Sequence, residues 1–200
     1  MEPLAIHHGE FVDLVPLQVQ HAELSLLWRQ GDRAKQLNQV VADVEKQRAW
    51  IAARPAHERN FIIQLKSGKP VGMLSLIGID TVHKHAESAR FLIGDEVAVR
   101  GIPAAVEAMK LLYQLAFDTL GLVRVFGSIA SDNGMMIKWQ KFLGMTEEGR
   151  LRNHFFINGH FQDAVMFGIL ADEYRSRALP RMNMLLAAGR QSAHAPKAQP

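Results

Sequence analysis

Cysteine is absent from this 200-residue chain. Its absence excludes disulfides, thiolate metal sites and a cysteine nucleophile. Tyrosine is scarce, with Tyr113 and Tyr174 the two in the chain, so a phenol acid or base has few possible sources. No apolar run approaches the roughly 20 residues that a membrane-spanning helix needs. The opening Met1 to Gly9 lacks the apolar centre of a cleavable leader. No block of lysines or arginines stands out, and the net charge is only +3. A nucleic-acid partner is therefore not implied, while a local basic pocket for an anionic ligand stays open. No internal repeat is visible. What remains is 48% hydrophobic and 22% charged, ordinary values for one folded domain with a real core. The chain is expected to be soluble and cytoplasmic, without membrane or nucleic-acid partners.

The most informative stretch that is present runs from Val99 to Gly121. A strand-like segment, Ser88 to Gly94, leads to the tight basic turn Val99-Arg100-Gly101-Ile102-Pro103-Ala104-Ala105, and a helix follows at once. In that helix Val106, Met109, Tyr113, Ala116, Phe117 and Leu120 recur at three- and four-residue steps, the mark of one buried face. Pro103 suits the first helical turn, where its missing N–H has no intrahelical partner. A turn of small residues before a helix exposes backbone N–H groups and the positive end of the helix dipole, which favours phosphate. The same features also occur in turns that bind nothing.

Around this motif the pattern reads as a mixed α/β sheet. Phe11 to Val15 is a short first strand, Gln18 to Gln30 a helix, Gly31 to Val40 a polar loop, and Val41 to Ala53 a second helix. Phe61 to Leu65 and Val71 to Asp80 flank the turn residues Lys66 to Pro70 as a hairpin. Thr81 to Glu87 reads as a polar turn. Val123 to Ile129 is a strand, Met135 to Leu143 a short helix capped by Gly144, and Asn158-Gly159 joins two closing strands, Leu151 to Ile157 and Phe161 to Leu170. Past Tyr174 the periodicity weakens. Met182 to Ala188 can form a short helix, and Gln191 to Pro200 has the composition of a disordered tail.

This order, with Arg100-Gly101-Ile102-Pro103-Ala104-Ala105 at its centre, resembles the GNAT superfamily of N-acetyltransferases, and within it the ribosomal-protein N-acetyltransferase-like branch. That family carries Gln/Arg-x-x-Gly-x-Gly/Ala between a strand and a helix. Ser131-Asp132-Asn133 followed by Lys141-Phe142-Leu143-Gly144-Met145 resembles a second family stretch. Glu147-Glu148-Gly149-Arg150-Leu151-Arg152-Asn153-His154, with Asn158-Gly159-His160-Phe161-Gln162-Asp163, resembles its closing hairpin. The likeness spans Glu10 to Leu170 and places the domain at residues 1–175, with 176–200 as a C-terminal extension. It implies a single α/β domain whose mixed, mainly antiparallel central sheet has helices on both faces. It also implies acetyl-CoA as co-substrate, no metal, direct transfer to an amine acceptor, and the possibility of a homodimer.

The resemblance assigns coenzyme contacts to Arg100, Gly101, Ile102, Ala104 and Ala105 for the phosphates. It assigns Leu92 or Ile93 as the N–H that faces the developing oxyanion, and Asn133 to the mouth of the channel. One departure is Pro103, which stands where the family has its central glycine and removes one amide donor. Another is Gln140, which stands at the family's acidic tyrosine and cannot donate a proton as an acid does. A family glutamate aligns with Ser88, so the base is sought among Asp80, His83, His85, His154, His160 and Asp163, with His154 ranked first for its strand beside the acceptor pocket and Glu87, expected on the opposite face from Ser88, second. Arg29 is the candidate for holding an anionic acceptor, while Trp50 and Trp139 read as packing. Three acceptor classes stay open: a small amine such as an amino sugar or polyamine, a protein N-terminal amine, or none in a non-catalytic acyl-CoA-binding protein.

Overall fold

The computed structural model describes residues 5–35, 42–55 and 57–194. Two strands, β1 (His7–His8) and β2 (Val12–Pro16), precede α1 (Ala22–Gln30) and α2 (Val44–Ala52). Then come β3 (Arg59–Leu65), β4 (Pro70–Asp80), β5 (His85–Ile93), α3 (Ala104–Gln114), β6 (Arg124–Ala130) and α4 (Gly134–Phe142). The chain closes with β7 (Thr146–Ile157), β8 (His160–Leu170), α5 (Ala171–Glu173) and α6 (Leu179–His194). The sheet order is β1-β2-β3-β4-β5-β6-β8-β7. Every neighbouring pair is antiparallel except β5 and β6, which run parallel. The expected architecture and element order are both seen, with β1 as an added edge strand.

Strands β3 and β4 are apolar along most of their length because helices cover both of their faces. Along β3, Phe61 and Ile63 join the large core under α3 and α6, while Ile62 joins a smaller cluster with Trp28, Met73 and Leu92 under α1. Successive side chains of a strand point to opposite faces, so one apolar run feeds two cores. Buried Glu107 on α3 ties the N-terminal arm to this frame. Its carboxylate accepts from the backbone N–H groups of Glu10, Phe11 and Val12 at 2.7, 2.6 and 2.8 Å.

Three boundaries differ from expectation, the first being β7, which starts at Thr146 rather than Leu151. Strand β5 starts at His85, not Ser88, because β4 and β6 both pair with His85 to Glu87 and their ladders override the polar side chains. At the C-terminus the helix runs to His194. Tyr174, Ala178, Met182 and Leu186, spaced by four, are buried in the main core, so the π-helical turn at 174–178 and α6 hold this segment against the domain. The remainder of the expected tail, 195–200, and the expected loop from Gln36 with the start of the second helix at Val41 lie outside the described residues.

The feature that shapes the site is a bulge in β5. Ser75 stands opposite Ala89 but Met73 opposite Leu92, so β5 carries one extra residue here. Arg90, inside the bulge, has φ +57°, a conformation that costs a non-glycine residue about 1 kcal/mol or more. The strain is offset by its partners. Arg90 Nη1 donates to Glu58 Oε2 and Asn60 Oδ1, both at 2.9 Å, and Ser75 Oγ donates to the same Asn60 oxygen at 2.7 Å. A bulge bends its strand and ends regular pairing. Pairing between β5 and β6 stops at Glu87–Phe126, and the two strands part beyond it. Arg90→Ala is expected to cost about 2–4 kcal/mol in urea unfolding, since it strips a part-buried carboxylate of its nearest cation. Arg90→Gly should retain about 1 kcal/mol of that by relieving the backbone. Equal losses in the two variants would show that the strain is not real.

Candidate active site

A cavity of about 410 Å³ opens in the gap between the parted strands. One wall is Glu87 to Phe91 of β5 and the other Gly127 to Ala130 of β6; α4 supplies Asn133, Met136 and Gln140, and α1 supplies Arg29. Because the opening lies within the sheet, residues of both parities border it. Glu87 and Ser88 therefore both line the cavity, although strand alternation predicts opposite faces for them.

Glu87 is the carboxylate of this cavity. Burial pushes its pKa above the ordinary value, outweighing a hydrogen bond from Ser128 and the fields of Arg90 and His154. Ser128 Oγ donates to its Oε1 at 3.3 Å. Two further polar atoms on the wall, Ser88 Oγ and Gln140 Oε1, are buried with no hydrogen-bond partner among the described residues. Buried polar atoms left in this state belong where a ligand or water supplies the partner.

His154 sits elsewhere. It is exposed on β7, does not line the cavity, and packs edge-on against the ring of Phe155 at 4.8 Å. The register of β7 slips between Leu151 and Phe155, with Asn153 at φ +50°, and Phe155 is the residue that reaches the cavity. Neither tyrosine lines it. Tyr113 is fully buried and its phenol is held well above the ordinary pKa by burial, as is that of Tyr174.

Arg29 reaches the cavity because its helix is docked by the preceding residue. The Trp28 indole lies flat on Gly94: a methyl group built there would come within 2.2 Å of the ring. Trp50, expected as plain core, is half-buried and serves as a platform, with the Arg54 and Arg90 guanidiniums 4.1 and 5.1 Å from its ring centre. Trp139 packs, stacked on Phe91 and Phe142.

The turn before α3 differs in detail from its sequence reading. Pro103 is the N-cap, not the first helical residue, and α3 starts at Ala104. The N–H groups of Arg100 and Ile102 are spent on Val97 and Val99 carbonyls, at 3.3 and 2.9 Å. The first intrahelical donor is Glu107, to Pro103 O, which leaves Ala104, Ala105 and Val106 with no carbonyl to reach within the helix. Gly101 has φ +76°, so a side chain there would be strained. Leu92 and Ile93 are buried just beyond Phe91, the last β5 residue on the wall. Asn133 borders the cavity but also caps α4, accepting from Met136 N–H at 3.2 Å.

Sequence reading missed Arg90, Glu58, Asn60 and Ser75, which hold the bulge. The one local signal was an arginine inside an otherwise apolar strand end.

The parted parallel strands, the amide-rich helix start and the carboxylate between them can be set beside known proteins. Residues 12–146 match the family model of the acetyltransferase (GNAT) domain. The chain belongs to this family. It is 31% identical over 117 residues to the spermidine N(1)-acetyltransferase of Escherichia coli (strain K12), an alignment covering 58% of this chain and 61% of that one. It thus spans about three-fifths of that relative's length. A Bacillus subtilis (strain 168) protein with the provisional name ribosomal N-acetyltransferase YdaF is 33% identical over 110 residues, 55% of this chain and 58% of the other. Among solved structures, a GCN5-related N-acetyltransferase from Brucella melitensis superposes with a TM-score of 0.73 at 26% identity, covering 94% of this chain and 84% of its own. GNAT membership, expected from three short motifs, is thereby shown.

Proposed function

We propose that this GNAT domain transfers an acetyl group from acetyl-CoA to the primary amine of a small molecule, with Glu87 as the general base. The observation that carries this reading is Glu87 itself: a carboxylate with a raised pKa on the wall of a cavity made by parted parallel strands. The unpaired edges of β5 and β6 offer backbone groups to an extended amide chain, and Ser88 Oγ and Gln140 offer unspent polar atoms. A coenzyme arm fits such a wall. The first-turn amides Ala104 and Ala105, together with Gly101 and the Arg100 side chain, are assigned to its phosphates, while the Ile102 N–H is already spent on Val99 O. The co-substrate supplies an activated acetyl thioester.

Every other part of the reaction falls to the chain. The acceptor nitrogen must be neutral to attack, and Glu87 takes its proton as the C–N bond forms and the C–S bond breaks. Backbone N–H groups near Leu92 and Ile93 are assigned in this reading to the carbonyl oxygen as it gains charge. Gln140 can hydrogen-bond the departing sulfur but cannot protonate it, so the thiolate takes its proton from water or the amine. Asn133, whose oxygen caps α4, keeps its amide N–H groups for the coenzyme.

The spermidine-acetylating relatives support a small-molecule acceptor, and an amino sugar is a second candidate of that class. The Bacillus subtilis relative favours a second reading, a protein N-terminal amine. Acetyl-CoA titration by calorimetry, followed by a screen of small amines and N-terminal peptides, decides between them. Binding without turnover of any acceptor would point to a non-catalytic acyl-CoA-binding protein. Ala105→Glu is expected to weaken acetyl-CoA binding by about 10- to 100-fold, since it brings an anion to the phosphate turn. Unchanged affinity would show that the phosphates lie elsewhere.

A further inference from the structure

We infer that the acceptor is a primary monoamine with an apolar body, an aromatic ring or a branched alkyl group, which packs against Ile77 and Phe155 beside Glu87. The inference rests on the acetyltransferase reading above, with Glu87 as base, and names the class of its acceptor.

Because Glu87 takes the amine proton in that reading, the amine sits within hydrogen-bond reach of it. The carbons next to the nitrogen then meet whatever flanks Glu87. On β4 the flanking residue is Ile77, the direct cross-strand partner of Glu87. Such partners share a face, with Cβ atoms about 5 Å apart. On β7 it is Phe155. The field of the adjacent His154 reaches Glu87, so this part of β7 lies close to the carboxylate. Phe155 lines the cavity together with Ile77 and Ile157, and Phe155 and Ile157, two apart on one strand, share a side of it.

These three side chains differ from the rest of the wall. Leu74, Met109, Leu112 and Ile129 also line the cavity and belong to the main core, while Phe91 and Met136 pack against that core. Among the described residues Ile77, Phe155 and Ile157 join neither of the two cores. What the interior gives the others, a bound apolar body gives these three, and the area it buries there favours binding.

Charge sets the other limit. Among the described residues that line the cavity, Glu87 is the one carboxylate. Residues 36–41, outside the described residues, contain neither aspartate nor glutamate. Glu58, behind Arg90, is committed to Arg90 and Arg54, with oxygen 2.9 and 3.6 Å from their Nη1 atoms. A diamine or polyamine held at Glu87 would bring a further ammonium group against apolar side chains with no carboxylate to meet it, and desolvating an unpaired cation is costly. An uncharged apolar body bears no such cost.

A panel of amines provides the test: 2-phenylethylamine and isoamylamine, each one amine on an apolar body, against putrescine, spermidine, glucosamine and a peptide with a free N-terminus. The parent protein should show its highest kcat/KM with one of the two apolar amines. Phe155→Ala should raise KM for that amine by about 5- to 30-fold with little change in kcat, and Phe155→Leu should fall between the two. Acetyl-CoA affinity and thermal unfolding, measured on the same samples, report whether each variant is folded and loaded. A highest kcat/KM for putrescine, spermidine, glucosamine or the peptide would overturn the inference. So would an unchanged KM in Phe155→Ala, or acetyl-CoA binding without turnover of any of these amines, and each of these results leaves coenzyme binding intact. Failure to bind acetyl-CoA would overturn the acetyltransferase reading itself.

Discussion

Replacing Glu87 with glutamine is expected to lower turnover by about 10²- to 10⁴-fold, the usual worth of a positioned general base, while leaving acetyl-CoA affinity unchanged. The same variant should be more stable than the parent at neutral pH. Burial raises the Glu87 pKa in the folded protein, so the native state keeps this proton to higher pH than the unfolded chain does. The stability tied to that proton is complete below the ordinary carboxylate range. It is lost as the pH rises through the folded value, and stays lost above it. Glutamine is neutral throughout and bears no such loss. Urea midpoints for parent and variant should therefore coincide in acid and diverge towards neutrality, and the parent's kcat/KM should rise over the same window. His154→Ala is the companion measurement, and its exposed position predicts little change. If Glu87→Gln turns over within tenfold of the parent, or if His154→Ala is the damaged variant, the base has been misassigned.

Adding one methyl group at Gly94 is expected to be a strongly damaging change for so small a substitution. An alanine Cβ at this site would lie 2.2–2.3 Å from three atoms of the Trp28 indole, well inside van der Waals contact. Gly94 N–H is bonded to Val71 O at 2.9 Å, so the backbone is anchored to β4 and α1 must yield. Overpacking of this kind costs about 1–3 kcal/mol, at roughly 2–4 °C of melting temperature per kcal/mol for a chain of this size. Arg29 follows Trp28 on the displaced helix, so acceptor KM should rise while coenzyme affinity holds. Trp28→Ala alone should cost about 3–5 kcal/mol through the cavity it leaves. In the double variant the two losses should be far from additive, because the truncated ring no longer meets the new methyl. Additive losses would mean that the Trp28–Gly94 contact is not what docks α1.

Much of the frame was legible along the chain. The two-sided apolar runs at Phe61–Leu65 and Val71–Asp80, the stepped apolar face from Val106 to Phe117 and the Asn158-Gly159 turn each report a local period of two or 3.6 residues, which local sequence can express. The spacing of Tyr174, Ala178, Met182 and Leu186 held the same kind of signal for the C-terminal helix, diluted by Ser176, Arg177 and Arg181. Of the expected site residues, Glu87, Arg29 and Asn133 do border the cavity, and His154 does not.

The sequence by itself determined the order of strands and helices, the faces they bury and the turn that opens α3, because each depends on neighbours within a few residues. Tertiary structure alone decided where the sheet opens. That opening follows from one extra residue in β5, and the bulge is held by Glu58 and Asn60, which lie about thirty residues from Arg90. It likewise decided that Glu87 is shielded enough to hold a raised pKa, since the shielding comes from α4, β6 and β7 closing around it. Register and desolvation are set by partners distant in the chain, and no local period encodes them.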